Sequence, residues 1–249
     1  MAPNHSFDGD KLTSPYSCLV SGEYSDLTIT CGSMTWKVHR VIICPRSPVL
    51  KSACTRGFKE ATTMIINLKD DNPFAVNLMV DFLYTGDYVA DIDADEPHRA
   101  TRSNPDHPST IGKLRTHAQL YCLADKYDIK ALLEVARLKY QGCLQSGNVF
   151  NEFLSSIPEV YLPQASKTLR TVAITYARKY STASYFKNRE GSELKNAIKD
   201  TPEFGFDLLE AFITAPLRGK CRNCGPDQPA ESLQARCGRC KLGGTTDTY

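Results

Sequence analysis

The order of hydrophobic periodicities predicts an α+β unit, then helices alone, with a small cysteine-rich module closing the chain. Three observations carry this. Strand-like alternation is confined to the chain before residue 70. From Asn72 onward, apolar residues recur at the three- and four-residue spacing of helices. Cys221-x-x-Cys224 and Cys237-x-x-Cys240 then form two matched pairs separated by twelve residues.

Each element can be justified in turn. Residues 1–13 are polar and expected to fray. Ser25 to Cys31 alternates, with Leu27, Ile29 and Cys31 on one side, which predicts a half-buried strand. Gly32-Ser33 is a turn signal, and Met34 to Val38 reads as the returning strand of a hairpin. Met64 to Leu68 is the next strand. Between them, Ser47 to Arg56 reads as a short helix. Ser47 caps its start, Pro48 suits its first turn and Gly57 is expected at C′. Asn72-Pro73 opens another helix, whose Phe74, Leu78 and Phe82 form an apolar face and which Tyr84-Thr85-Gly86 ends. Residues 91–110 carry five acids and three prolines with few large apolar side chains, which predicts an exposed insert.

Helical period resumes at Thr116. Ala118, Tyr121 and Cys122 begin one face, and Ile129, Leu132, Leu133, Ala136, Tyr140, Cys143 and Leu144 form another. Asn148 is the expected cap of a helix bearing Val149, Phe150, Phe153 and Leu154. Ser166 is the expected cap of one bearing Leu169, Val172, Ala173, Tyr176 and Tyr180. Thr201-Pro202 opens a last helix with Phe204, Leu208, Phe212 and Ala215, stopped by Pro216. The expected organisation is residues 1–13 as a flexible terminus, 14–145 as the α+β unit with an insert at 89–112, 146–216 as a helical extension and 217–249 as the cysteine module.

Composition narrows the function classes. The 249 residues include 30 Lys plus Arg against 28 Asp plus Glu, a formal charge of +2, which disfavours a globally basic nucleic-acid binder. Mean hydropathy is −0.34, and no apolar run approaches the ~20 residues of a membrane span. Met1 to Lys11 lacks an apolar export core, so an intracellular protein of nucleus or cytoplasm is expected. In that setting ten cysteines argue for thiols or metal ligands over disulfides. Cys18, Cys31, Cys44, Cys54, Cys122 and Cys143 are irregularly spaced beside apolar residues and read as small buried hydrophobes.

The last four cysteines carry the sharpest chemical signal. A Cys-x-x-Cys turn sets two sulfurs on one side of a tight knuckle, and two knuckles complete a tetrahedral thiolate shell for one structural zinc ion. The predicted ligands are Cys221, Cys224, Cys237 and Cys240, with Gly225 and Gly238 easing the turns. Redox pairs and disulfides are the alternatives, and nothing here resembles a thioredoxin setting. Between Cys221 and Gly243, Leu233 and Leu242 are the only large apolar residues, so metal must supply much of the module's folding free energy, on the order of 10 kcal/mol. Arg218, Lys220, Arg222, Arg236, Arg239 and Lys241 surround the site against Asp227 and Glu231. They either balance the cluster, about −2 when zinc is bound by four thiolates, or contact nucleic acid or an acidic partner. No aromatic residue lies between Cys221 and Cys240 to stack on a base.

From Tyr24 to Tyr140 the chain resembles a BTB/POZ domain. The resemblance rests on Tyr24-Ser25-Asp26-Leu27-Thr28-Ile29, on Trp36-Lys37-Val38-His39-Arg40-Val41-Ile42-Ile43, on Ser47-Pro48-Val49-Leu50, on Phe74-x-x-x-Leu78 through Phe82-Leu83-Tyr84-Thr85-Gly86, and on Leu120-Tyr121-x-Leu123-Ala124-Asp125-Lys126-Tyr127, all in order. The pattern looks most like fungal BTB proteins of this length. It implies a small three-stranded sheet flanked by helices, and protein–protein binding instead of chemistry. Two departures stand out: the 89–112 segment is an addition, and only Ser14 to Glu23 is available where some members build a homodimer.

Phe58-Lys59-Glu60 falls where cullin-binding members carry a hydrophobic-x-Glu motif. The resemblance therefore implies a cullin as partner, and a role as substrate adaptor of a cullin-based ubiquitin ligase. The alternative for Phe58 is a residue just past a helix, folded back near Ala53. A zinc-containing transcriptional or RNA regulator is the second functional reading. An enzyme is the third. His39, Asp26 and Ser47 invite it, but they match structural positions of the family, and no nucleophile elbow or phosphate loop accompanies them.

Overall fold

The structure, a computed structural model, describes residues 15–55, 57–90, 112–146, 149–162, 167–181, 191–214, 218–229, 239–240 and 247–248. The expectations for residues 1–13, for 91–111 of the insert, for the Asn148 and Ser166 caps and for Ala215 and Pro216 lie outside the described residues. The chain divides into two compact units, Met1–Ser109 with Leu123–Val135, and Thr110–Cys122 with Ala136–Tyr249.

The first unit is built on a three-stranded sheet. After helix α1 (Pro15–Ser21), strands β1 (Leu27–Cys31) and β2 (Met34–Val38) pair antiparallel from Leu27↔Val38 to Cys31↔Met34. Gly32, at φ +54°, supplies the left-handed residue that opens the two-residue hairpin loop. The alternation expected for β1 is present, with Leu27, Ile29 and Cys31 buried. Three short helices follow: α2 (Arg40–Ile43), α3 (Pro48–Ala53) and α4 (Lys59–Thr63). They form the crossover that returns the chain to β3 (Ile65–Asn67), which lies parallel to β1. The strand order is β2-β1-β3.

Helix α5 (Pro73–Thr85) fills the unit. Asn72 caps it through Oδ1, which accepts the Ala75 N–H at 3.1 Å, and Gly86 ends it at φ +78°. The expected Leu78 and Phe82 are buried, but so are Ala75, Val76, Met79, Val80 and Leu83. A helix apolar on nearly all sides becomes a core element, not a surface one. Trp36, 1% exposed, packs from β2 and donates its Nε1–H to Asn77 Oδ1 at 3.0 Å.

Two local expectations need correction. Helix α3 ends at Ala53 with Cys54 as its C-cap, so Gly57 is not its C′ residue. Gly57 does adopt a positive φ of +109°, but it serves the entry to α4, an element the sequence did not suggest. Ser47 behaves as expected and more. Its Oγ accepts the Leu50 N–H at 3.1 Å and donates to the Tyr127 carbonyl at 2.6 Å, eighty residues away.

Helices α6 (Lys113–Lys126) and α7 (Lys130–Gln145) each supply residues to both units. The second unit adds α8 (Phe150–Val160), α9 (Lys167–Tyr180), α10 (Gly191–Asp200) and α11 (Pro202–Thr214). α8 packs on α9 and α10, and α11 packs on the same two, which closes a ring of four helices. Aromatics fill its centre. Phe153 meets Tyr176 at 4.9 Å between ring centroids, and Phe204 meets Tyr161 at 5.9 Å. Gly205 is required by space, because an added Cβ would lie 2.7 Å from Ile198 Cγ2 on α10. Glu152 of α8 caps α6 from a distance, its Oε1 accepting the Leu114 N–H at 2.8 Å. Strands β4 (Arg218–Cys221), β5 (Gly225–Pro229) and β6 (Asp247–Thr248) make a second sheet in the order β5-β4-β6.

Candidate functional site

Two groups of residues stand out, one in each unit. In the first unit, α2, α3 and α4 pack in series and each presents an apolar side chain to solvent. Val41 is 79% exposed, Val49 43% and Phe58 56%. Phe58 is the N-cap residue of α4, in extended backbone at φ −103° and ψ 149°, and its carbonyl accepts the Ala61 N–H. Because α3 ends at Ala53 with Cys54 as its C-cap, Phe58 lies beyond the C″ position that the alternative assigned to it. Lys59 is exposed and Glu60 half-buried in the first helical turn, where a carboxylate faces the positive end of the helix dipole. The structure thus brings Phe58, Lys59 and Glu60 to one surface helix start. Nothing in the sequence marks Val41 and Val49 as exposed, because they look like ordinary helix residues.

The residues that invite an enzymatic reading are all engaged elsewhere. His39 is buried, with Nε2 2.7 Å from the Glu23 carbonyl and Nδ1 2.6 Å from Tyr84 Oη. The carbonyl can only accept, so Nε2 carries the proton and Nδ1 accepts from the tyrosine hydroxyl. Asp26 Oδ1 accepts the Arg40 N–H at 2.8 Å and so caps α2. The Ser47 hydroxyl is committed to Leu50 and Tyr127.

In the second unit the first Cys-x-x-Cys forms the tip of a hairpin. Cys221 ends β4, Arg222 to Cys224 make the turn, and Gly225 at φ +89° opens β5, with Cys221 opposite Gly225 in the register. Cys240 joins them. The Sγ atoms of Cys221 and Cys240 are 3.8 Å apart, and those of Cys221, Cys224 and Cys240 all lie within 4.8 Å of one another. A disulfide would need about 2.05 Å. Tetrahedral thiolates at a metal–sulfur distance of 2.3 Å place their sulfurs about 3.8 Å apart. The donor set therefore fits a metal ion that prefers sulfur. Cys237, the fourth ligand expected from the sequence, lies outside the described residues, as do Arg236 and Lys241.

None of the nine described cysteines is in a disulfide. Two of them are packed thiols of the first unit. Burial, with the Asp71 carboxylate as a second cause, pushes Cys31 up to about 11. Burial, with Cys44 as neighbour, does the same for Cys54. Both are core thiols that resist ionisation and metal binding.

The architecture of the first unit and the comparisons with known proteins agree. The BTB/POZ domain family matches residues 17–101, and this region is a BTB/POZ domain, a small three-stranded sheet flanked by helices and followed by a helical extension. Among curated proteins, a BTB/POZ domain-containing protein of Arabidopsis thaliana is 35% identical over 82 residues, covering 32% of this chain and 10% of the plant protein. Kelch repeat and BTB domain-containing protein 4 of Mus musculus is 24% identical over 131 residues, covering 53% of this chain and 20% of the mouse protein. Its Homo sapiens counterpart is 30% identical over 69 residues, covering 28% of this chain and 13% of the human protein. The matched part of the chain thus spans no more than a fifth of these relatives' length.

Proposed function

We propose that this protein is an interaction adaptor that docks a cullin-type ubiquitin-ligase scaffold through Phe58, Lys59 and Glu60, and that its cysteine module, held by one structural zinc ion, recruits substrate. The observation that carries the docking half is the placement of Phe58. A large aromatic stands 56% exposed at a helix start, with Glu60 two residues after it in the first turn. An aromatic anchor that fills a partner's pocket, with a carboxylate fixing orientation by a charge-assisted hydrogen bond, is a common hot-spot arrangement. The relatives support a two-module adaptor, because their printed names join a BTB domain to a second module, kelch repeats, in one chain.

The zinc half is supported by the sulfur geometry of Cys221, Cys224 and Cys240. A closed four-thiolate shell leaves no open position for water, so the ion's work is to fold the module. The docking reading is tested by capturing a purified cullin N-terminal region on the immobilised chain. Capture at least 10-fold weaker for Phe58→Ala plus Glu60→Ala is expected, and undiminished capture rejects it.

A second reading has one observation in its favour. Arg218, Lys220, Arg222 and Arg239 are all exposed on the module. A nucleic-acid contact there predicts binding to a short oligonucleotide at low salt that is lost when Arg236 and Arg239 are neutralised.

A further inference from the structure

Helix α11 has two apolar stripes, and among the described residues only one is buried. Phe204, Leu208 and Phe212 are buried in the four-helix ring. Phe206, Leu209 and Ile213 are 69%, 51% and 70% exposed. At about 100° per residue these three fall within roughly 60° of arc and make one continuous ridge. Single exposed apolar side chains are ordinary on a protein surface, but a contiguous row marks an interaction site. One flank of the ridge carries Glu203 and Glu210, both exposed. Asp207 is turned away from this flank to accept the Tyr161 hydroxyl at 2.8 Å. No lysine or arginine occurs in the helix.

We propose that this outer face of α11 is a docking surface, separate from the Phe58 region, for an amphipathic helix of a partner protein with lysine or arginine along one edge. Apolar residues at the three- and four-residue spacing would lie on Phe206, Leu209 and Ile213, and the basic edge would meet Glu203 and Glu210. A second copy of this chain is the poorer occupant on two grounds. The ridge offers roughly 400 Å², about half of what each side of a standard interface contributes. An antiparallel pair of α11 helices would also set each acidic flank against its own copy, where like charges repel.

The probes are two labelled 14-residue amphipathic peptides, one of leucine and lysine, the other its leucine and glutamate twin. Both are titrated by fluorescence anisotropy into the metal-loaded 249-residue chain. Saturable binding of the lysine peptide is expected, at least 10-fold weaker for Phe206→Asp plus Ile213→Asp. Glu203→Lys plus Glu210→Lys, which leaves the apolar ridge intact, should reverse the preference toward the glutamate peptide. Three results would each overturn the proposal: equal binding of the lysine peptide to the Phe206→Asp plus Ile213→Asp variant, indifference of peptide choice to the charge reversal, or self-association in sedimentation that the aspartate substitutions abolish. The last would assign the face to a second copy.

Discussion

The BTB/POZ unit and the cysteine module are held together by different forces. In the first, Ile29, Trp36, Val38, Met79 and Leu83 are at most 1% exposed, and every strand rests on that core. In the second, strand β4 buries only Gly219 and Cys221, and its partners are five and two residues long. Hydrophobic burial scales with apolar area, so the BTB unit is stable by its own side chains, whereas the described residues of the cysteine module bury little apolar area. On the proposed function, thiolate binding of a metal ion by the cysteine cluster takes the place of such a core. The two parts should therefore fail under different insults.

The largest effect is expected from removing metal. Cys224→Ser plus Cys237→Ser should take zinc from one ion per chain to none and abolish hydrogen-exchange protection across 218–229, a change on the order of 10 kcal/mol for the module. The thermal transition of the BTB unit should not move. Finding no metal in protein purified without chelator under reducing conditions would refute the difference. The converse insult is Trp36→Ala, which opens a cavity and loses the bond to Asn77. Urea titration should show a loss of about 3–5 kcal/mol in the BTB unit, with zinc content unchanged.

A third contrast is in thiol reactivity. Cys31 and Cys54 hold their protons to about 11 against an ordinary 9. At pH 8 their thiolate fractions are thus about 100-fold lower, and native alkylation should be slower by at least that factor, which peptide mass spectrometry can follow. The sign for stability follows. Between pH 9 and pH 11 the unfolded chain has released these protons and the folded chain has kept them, so stability falls as pH rises through that window. The smallest effect is expected at Ser47. Ser47→Ala removes a helix cap and leaves the Tyr127 carbonyl without its donor, for about 1–2 kcal/mol in the urea midpoint of the BTB unit.

The elements that could be read in the sequence are those whose cause is local. Leu27, Ile29 and Cys31 announce β1 because a half-buried strand must alternate. Asn72-Pro73 and Gly86 announce both ends of α5 because capping chemistry is short-range. Helix α4 was invisible since Lys-Glu-Ala-Thr-Thr has no apolar face, and indeed it buries nothing. Helix α10 offers only Leu194 and Ile198 as large apolar residues, too sparse a pattern to mark. The hairpin β4–β5 shows no alternation because cysteine and glycine take the inward positions. The parallel pairing of β3 with β1, the cap that Glu152 lends to α6 and the bond between His39 and Tyr84 all depend on residues far apart in the chain. For the candidate sites, the clustering of Cys221, Cys224 and Cys240 is legible because Cys-x-x-Cys spacing is itself a geometric statement. The exposure of Phe58 is not, since it turns on where α3 stops, and α3 stops at Ala53, short of the Arg56-Gly57 signal.

The bond from Ser47 to the Tyr127 carbonyl bears on the order in which the chain is synthesised. The BTB unit is discontinuous, with residues 123–135 returning to it after the chain has left. On a ribosome the sheet and α5 can assemble while those residues are still being made, but the seat for Tyr127 stays open and the serine hydroxyl donates to water instead. The nascent unit is left waiting for its last piece until translation has passed well beyond residue 130, and any factor that shields such intermediates would have its longest opportunity in that interval.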